Sequence, residues 1–244
     1  MDEVPGRHFS GRRSRAAAIA AMPARSAEPG ATLAAAKGVR MPLHPPSYRR
    51  AFGLWLTAIL LASVALSSAS AQQFEVKPIA EKKIPQLPPG LLFWRIDTFP
   101  TLAQAQAAAS STGLAAEAVG KVWLFTLGPK GGSSPGGTKV AEIGPVPPVA
   151  APQYLLRINV SGGPPGGKTP VHTHPGSETF FVLAGELGQK TPHGTNHVPA
   201  GQSMSGHEPG MPMEVSSSGA SDLTALVMFV VDATKPFSSP AAMP

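Results

Sequence analysis

From Leu91 onward the chain is built of short apolar runs broken by turn residues, which is the pattern of an all-β domain rather than of a helical bundle. Strands are predicted at Leu91–Ile96, Val119–Leu127, Thr138–Ile143 and Tyr154–Val160. From Thr169 the spacing tightens. Runs of β-type residues fall at Pro170–Thr173, Thr179–Ala184, Glu186–Lys190, Thr195–Pro199, Gln202–Ser205, Pro212–Ser216 and Leu223–Val231. Between them, Pro175-Gly176, His193-Gly194, Pro209-Gly210 and Ser218-Gly219 read as turns. Strands at this spacing predict a sandwich or barrel. The last run, LTALVMFVV, is apolar throughout and predicts a central strand buried on both faces. One helix is expected over Thr101–Ser111, which follows Pro100 and is rich in helix formers. Residues 72–90 carry four prolines and read as an extended arm. Gly128–Gly137 reads as a mobile loop, and residues 233–244 as a Pro/Ser-rich tail lying on the surface.

Composition sharpens this picture. The 244 residues include 26 Gly and 28 Pro, in keeping with many turns, and no Cys, which excludes disulfides, thiolate metal sites and a thiol nucleophile. The net charge of +6 is not spread evenly. Residues 1–71 hold nine Lys/Arg against three Asp/Glu, and residues 72–244 hold eleven of each. The neutral part has no basic stripe that could track phosphates, so nucleic acid is not an expected partner.

The basic N-terminal part reads as an address. Arg49-Arg50 precede an apolar run from Phe52 to Leu66, and Ala69-Ser70-Ala71 is a small-x-small cleavage site. This is the secretory pattern, and the run is short for a membrane span, which needs about 20 apolar residues. The expected product is periplasmic or secreted after cleavage near Ala71, exported by the general route or, since Arg49-Arg50 partly resembles a twin-arginine signal, by the folded-protein route. Contact with a membrane is expected only through this segment. The expected organisation is an over-extended or disordered stretch at 1–40, a signal peptide at 41–71, an arm, short helix and first strands at 72–153, a barrel core at 154–232 and a tail at 233–244.

All five histidines after residue 71 fall between positions 172 and 207. Side chains at i and i+2 on a strand share a face, so His172 and His174 can converge on one ion. Pro175-Gly176 then turns the chain, and Glu178 can return a carboxylate to the same point. Two imidazoles and one carboxylate form a facial triad that leaves coordination positions open. Such ligands must be deprotonated, so affinity for a cation is expected to fall below about pH 6. His193 and Glu186 read as solvated residues near a hairpin, His197 on the following strand faces either in or out with no role assigned, and Trp123, Tyr154, Phe180, Phe181 and Met204 read as core positions or pocket walls.

Gly166, five residues, His172-Thr-His174, three residues, Glu178, six residues and Gly185 resemble the first motif of the cupin superfamily at every fixed position. The resemblance implies a cupin (RmlC-like, jelly-roll) β-barrel, so the expected fold is all-β, with the one short helix and the N-terminal signal segment read above added to it. It also implies that His172, His174 and Glu178 ligate a divalent metal ion (Fe, Mn, Zn, Ni or Cu). The family's second motif is degenerate here. After Gly201, His207 stands where Pro is usual, one residue is inserted around Pro209-Gly210, and Met213 stands where the fourth ligand His is expected. The fourth ligand is therefore Met213, His207 or absent. Thioether sulfur suits Cu(I) better than Fe(II), Mn(II) or Zn(II). The resemblance implies a metal-dependent, dioxygenase-like enzyme acting on a small organic molecule. A non-catalytic metal- or ligand-binding barrel and a non-redox isomerase stand beside it, and cupin barrels often form homodimers.

Overall fold

The computed structural model describes residues 73–244, so the segments 1–40 and 41–71 lie outside the described residues. The chain enters through β1 (Glu75–Ile84), β2 (Phe93–Phe99), helix α1 (Leu102–Ala108), β3 (Gly113–Ala118), β4 (Lys121–Gly128) and β5 (Thr138–Ile143). It continues through β6 (Tyr154–Gly163), β7 (His172–Thr173), β8 (Gly176–Ala184), β9 (Glu186–Thr191) and β10 (Gly194–Pro199). It ends through β11 (Ser203–Ser205), β12 (Glu214–Ser217), β13 (Leu223–Asp232) and β14 (Ser239–Pro240). Among the described residues no helix is long and apolar enough to cross a membrane.

Three antiparallel layers result. The central sheet runs β1-β6-β13-β8-β11. Facing it, β10-β9-β12 continues through isolated bridges Lys168–Ser216 and His172–Met213 into the pair β7-β14. These two sheets enclose the barrel, and between them lie Phe180, Val182, Leu187, Val198, Val215 and Val227. The third sheet, β3-β4-β2-β5, covers the outer face of the central sheet, where Trp94, Ile96, Trp123 and Phe125 meet Leu156, Ile158, Leu226 and Met228. Strand β13 is thus buried on both faces, as its unbroken apolar run predicts. Leu226, Met228 and Val230 point outward, while Ala225, Val227, Phe229 and Val231 point into the barrel.

Several local features depart from expectation. The arm over residues 72–90 contains a ten-residue strand, β1, paired with β6 from Glu75–Gly162 to Ile84–Tyr154. Pro78 is tolerated because the ladder shifts register between Pro78 and Ala80, a bulge on an edge strand. The helix stops at Ala108, short of Ser111. Thr101 caps its start by accepting from the Gln104 amide at 3.3 Å. The chain then turns back into β3, which the alanine-rich sequence disguises. Val119 stands at φ 51 in the turn before β4, so that strand begins at Lys121. The Gly-rich loop is tied down at Ser134, which is buried. Its hydroxyl donates to Asp97 at 2.8 Å and accepts from Arg95 Nη2 at 3.0 Å, next to a 3.0 Å Arg95–Asp97 ion pair. The tail lies over the surface, where Ser239 and Pro240 also pair with Thr173 and His172.

Candidate metal and ligand site

The period-two alternation of the central sheet decides what faces the barrel. On β6, Leu156 and Ile158 pack outward, leaving Arg157, Asn159 and Ser161 on the inner face. On β8, Phe181 packs outward, while Glu178, Phe180 and Val182 face inward. Cross-strand register sets Arg157, Phe229 and Glu178 in one row and Asn159, Val227 and Phe180 in the next. Gly166 and Gly185, which bound the His-x-His and Glu segment, take φ values of 82 and 71. These left-handed turns explain why glycine stands at both places.

Of these residues, Phe229, Glu178, Asn159, Val227 and Phe180 line a cavity of about 330 Å³, and Arg157 stays outside its lining. Its walls are mostly apolar, with Phe74, Phe180, Val215, Val227, Phe229 and Phe237 among them. Its polar groups include His172, His174, Glu178, Asn159, Ser161 and Thr169. A concave, largely apolar space with a few convergent polar groups is the usual form of a small-molecule site.

His172 and His174 lie edge to face with ring centroids 4.9 Å apart. His172 Nδ1 is 2.8 Å from the Pro170 carbonyl, and His174 Nδ1 is 2.7 Å from the Phe237 carbonyl. A carbonyl oxygen only accepts, so both Nδ1 atoms carry the proton and both Nε2 atoms keep a free lone pair. Anchoring one ring nitrogen to a carbonyl while the other stays basic is the usual arrangement of a metal-ligating histidine. The His174 ring also packs on Phe229 and Phe237, with centroids 4.9 and 4.8 Å away. Burial in this aromatic setting is the main reason that its pKa is held down to about 4; the neighbouring His172 and Arg157 act the same way, and the Phe237 carbonyl opposes them. Glu178 is 5 % exposed, and its Oε2 has no hydrogen-bond partner. Burial alone pushes its pKa up to about 8.

The donor set therefore fits a divalent cation chemically. It offers the Nε2 atoms of two imidazoles and a buried carboxyl oxygen that nothing else satisfies. Among the described residues, however, no three His, Cys, Asp or Glu side chains stand together as a set already spaced to hold an ion.

The remaining sequence candidates lie elsewhere. Met213 is 2 % exposed and is not part of the cavity lining. Its sulfur accepts from Gln189 Nε2 at 3.5 Å, and its backbone bridges His172. His207 is half-buried outside the cavity lining; burial and the nearby His193 lower its pKa. His197 is exposed and pairs with Glu186 at 3.0 Å. Sequence reading passed over Asn159, Ser161, Phe229 and Phe237. The Arg157-x-Asn159-x-Ser161 alternation within an apolar strand was the available signal, but such a polar face normally means solvent.

No family model matches the chain, and no curated protein matches it. Solved structures match part of it. A DMSP lyase from Ruegeria pomeroyi is 26% identical over 35% of this chain and 43% of its own, with a TM-score of 0.31. An oxalate oxidase in complex with the substrate analogue glycolate is 22% identical over 34% and 45%, with a TM-score of 0.30. A cupin-like protein from Thermotoga maritima is 13% identical over 36% and 65%, with a TM-score of 0.33. The matched region spans less than two thirds of the length of each. Independently of these partial likenesses, the two facing antiparallel sheets give this chain an all-β, barrel-like fold whose inner wall carries residues of the Gly166–Gly185 segment.

Proposed function

We propose that the barrel is a metal-dependent enzyme site for a small, largely apolar organic molecule. His172 Nε2, His174 Nε2 and the Glu178 carboxylate would be the ligands. The observation that carries this reading is the unpartnered, fully enclosed Oε2 of Glu178 in a cavity shared with two histidines whose Nδ1 protons are committed to backbone carbonyls. A buried polar atom left without a partner is uncommon and costly. Here it is the atom that a cation would satisfy. A bound divalent ion would supply Lewis-acid or redox chemistry at open coordination positions. The chain's own part is to bind and orient. Pro170 and Phe237 fix the two imidazole tautomers, Glu178 yields its proton when a cation arrives, and the aromatic walls exclude water.

A non-catalytic ligand-binding barrel is the second reading, favoured by the apolar walls and by the lack, among the described residues, of a ready three-residue ligand set. Work outside the cytoplasm is proposed as well, on the support of residues 49–71.

Elemental analysis of the chain after equilibration with Fe(II), Mn(II), Zn(II), Ni(II) or Cu(II) tests the metal reading. About one ion per chain is expected, lost in His172→Ala and His174→Ala. A metal-free wild type under all five ions would overturn it. Oxygen consumption with a panel of small organic compounds then divides oxygenase from non-redox site or binder.

A further inference from the structure

Asn159 is fully buried at the cavity wall, on the inner face of β6. Its Oδ1 accepts from Arg157 Nε at 3.0 Å. A guanidinium only donates, so this contact fixes the amide: Oδ1 must face Arg157, and Nδ2 must face the other way. That Nδ2 has no partner. Arg157 is itself held. Its Nη1 is 2.9 Å from Glu81 Oε1, and its guanidinium carbon lies 4.1 Å from the Phe237 ring centroid. The orientation of Asn159 is therefore locked by a charge already paired with β1.

We propose that Asn159 is a ligand-recognition residue whose Nδ2 donates to a neutral acceptor oxygen, a ketone, ester or amide carbonyl, on an otherwise apolar molecule. This rests on reading the cavity as a small-molecule site and does not depend on a metal. Neutrality follows from the lining. No Lys or Arg is among the cavity residues, and the guanidinium beside Asn159 is neutralised by Glu81. In the metal-free chain an anion enclosed there would lose its hydration without gaining a counter-charge. A neutral carbonyl gives up far less and satisfies a donor that otherwise stays unpaired.

The test uses the full chain in the presence of a chelator, with three probes of similar shape: acetophenone, ethylbenzene and benzoate. Affinities are measured by calorimetry, and the Asn159 side-chain amide signals are followed by NMR. Acetophenone is expected to bind about tenfold more tightly than ethylbenzene, the effect of one buried hydrogen bond, and to shift the Asn159 Nδ2 proton signals. Asn159→Asp keeps an oxygen for Arg157 and removes the donor, so it should erase the preference for acetophenone. The wild-type comparison stands alone should that variant not fold. Equal binding of acetophenone and ethylbenzene would overturn the role of Asn159 while leaving the cavity reading intact. Tighter binding of benzoate would overturn the neutral-carbonyl assignment. Binding of none of the three would overturn this proposal together with the small-molecule reading, while the metal analysis is read separately.

Discussion

Replacing Glu178 by Gln should change how the metal-free protein responds to pH. Burial moves this carboxyl from its ordinary 4.5 up to about 8. The folded state therefore keeps the proton over a range in which the unfolded chain has released it. Stability is full below pH 4.5 and declines as pH rises toward 8, by about 1.4 kcal/mol per pH unit and about 4 kcal/mol in all at pH 8. His174 acts in the opposite sense. Its pKa is lowered from 6.5 to about 4, so its contribution is present above 6.5 and is lost as pH falls toward 4. This loss amounts to about 3 kcal/mol. Between 4.5 and 6.5 the two slopes cancel. Above 6.5 only the Glu178 slope remains, and wild type should lose about 2 kcal/mol between pH 6.5 and 8. Urea denaturation in chelator, followed by the fluorescence of the buried Trp94 and Trp123, measures this directly. Glu178→Gln should flatten the curve above pH 6.5 whatever its absolute stability. A variant whose stability falls in parallel with wild type over that range would refute the assignment of the slope to Glu178. A saturating metal ion should flatten the wild-type curve as well, because the ligated carboxylate is ionised without cost.

Two further outcomes follow from the packing around the site. Phe237→Ala removes a ring packed at a tilt against His174 and admits water beside it, so the His174 pKa should rise from about 4 toward the ordinary histidine value. NMR titration of the His174 ring protons reads this, and an unchanged pKa would show that the aromatic wall is not the source of the desolvation. Gly185→Ala places a methyl group 2.6 Å from the Asp222 carbonyl at a φ of 71. Strain at the backbone plus the overlap should cost about 2 kcal/mol or more in chemical denaturation. Wild-type stability would contradict the assigned turn.

The His-x-His and Glu spacing was legible because neighbours two apart on a strand share a face, a rule that needs no knowledge of the rest of the fold. The run at Leu223–Val231 was legible for a related reason: nothing polar interrupts it, so neither face can meet water. What escaped reading depends on pairing between distant segments. Strand β1 finds β6 across some eighty residues, and Pro78 in its middle argues against a strand unless a bulge absorbs it. Phe237 becomes a wall of the site only because β14 joins β7. Asn159 and Ser161 were read past because a polar face opposite an apolar one ordinarily faces solvent. Here the apolar face of β6 is covered by the third sheet, so the polar face is the one turned inward. The degenerate second motif left Met213 and His207 open, and neither lines the cavity.

The alternation along β13 has a consequence for how such a protein can change. Met228 and its outward neighbours hold two sheets together, whereas Val227 and Phe229, one position away, shape the chamber. Selectivity and cohesion are thus written on opposite sides of a single ribbon. Inward residues can be exchanged to admit a different guest while the structural seam behind them stays as it was. A lineage built on this plan can explore new ligands without first acquiring a new scaffold.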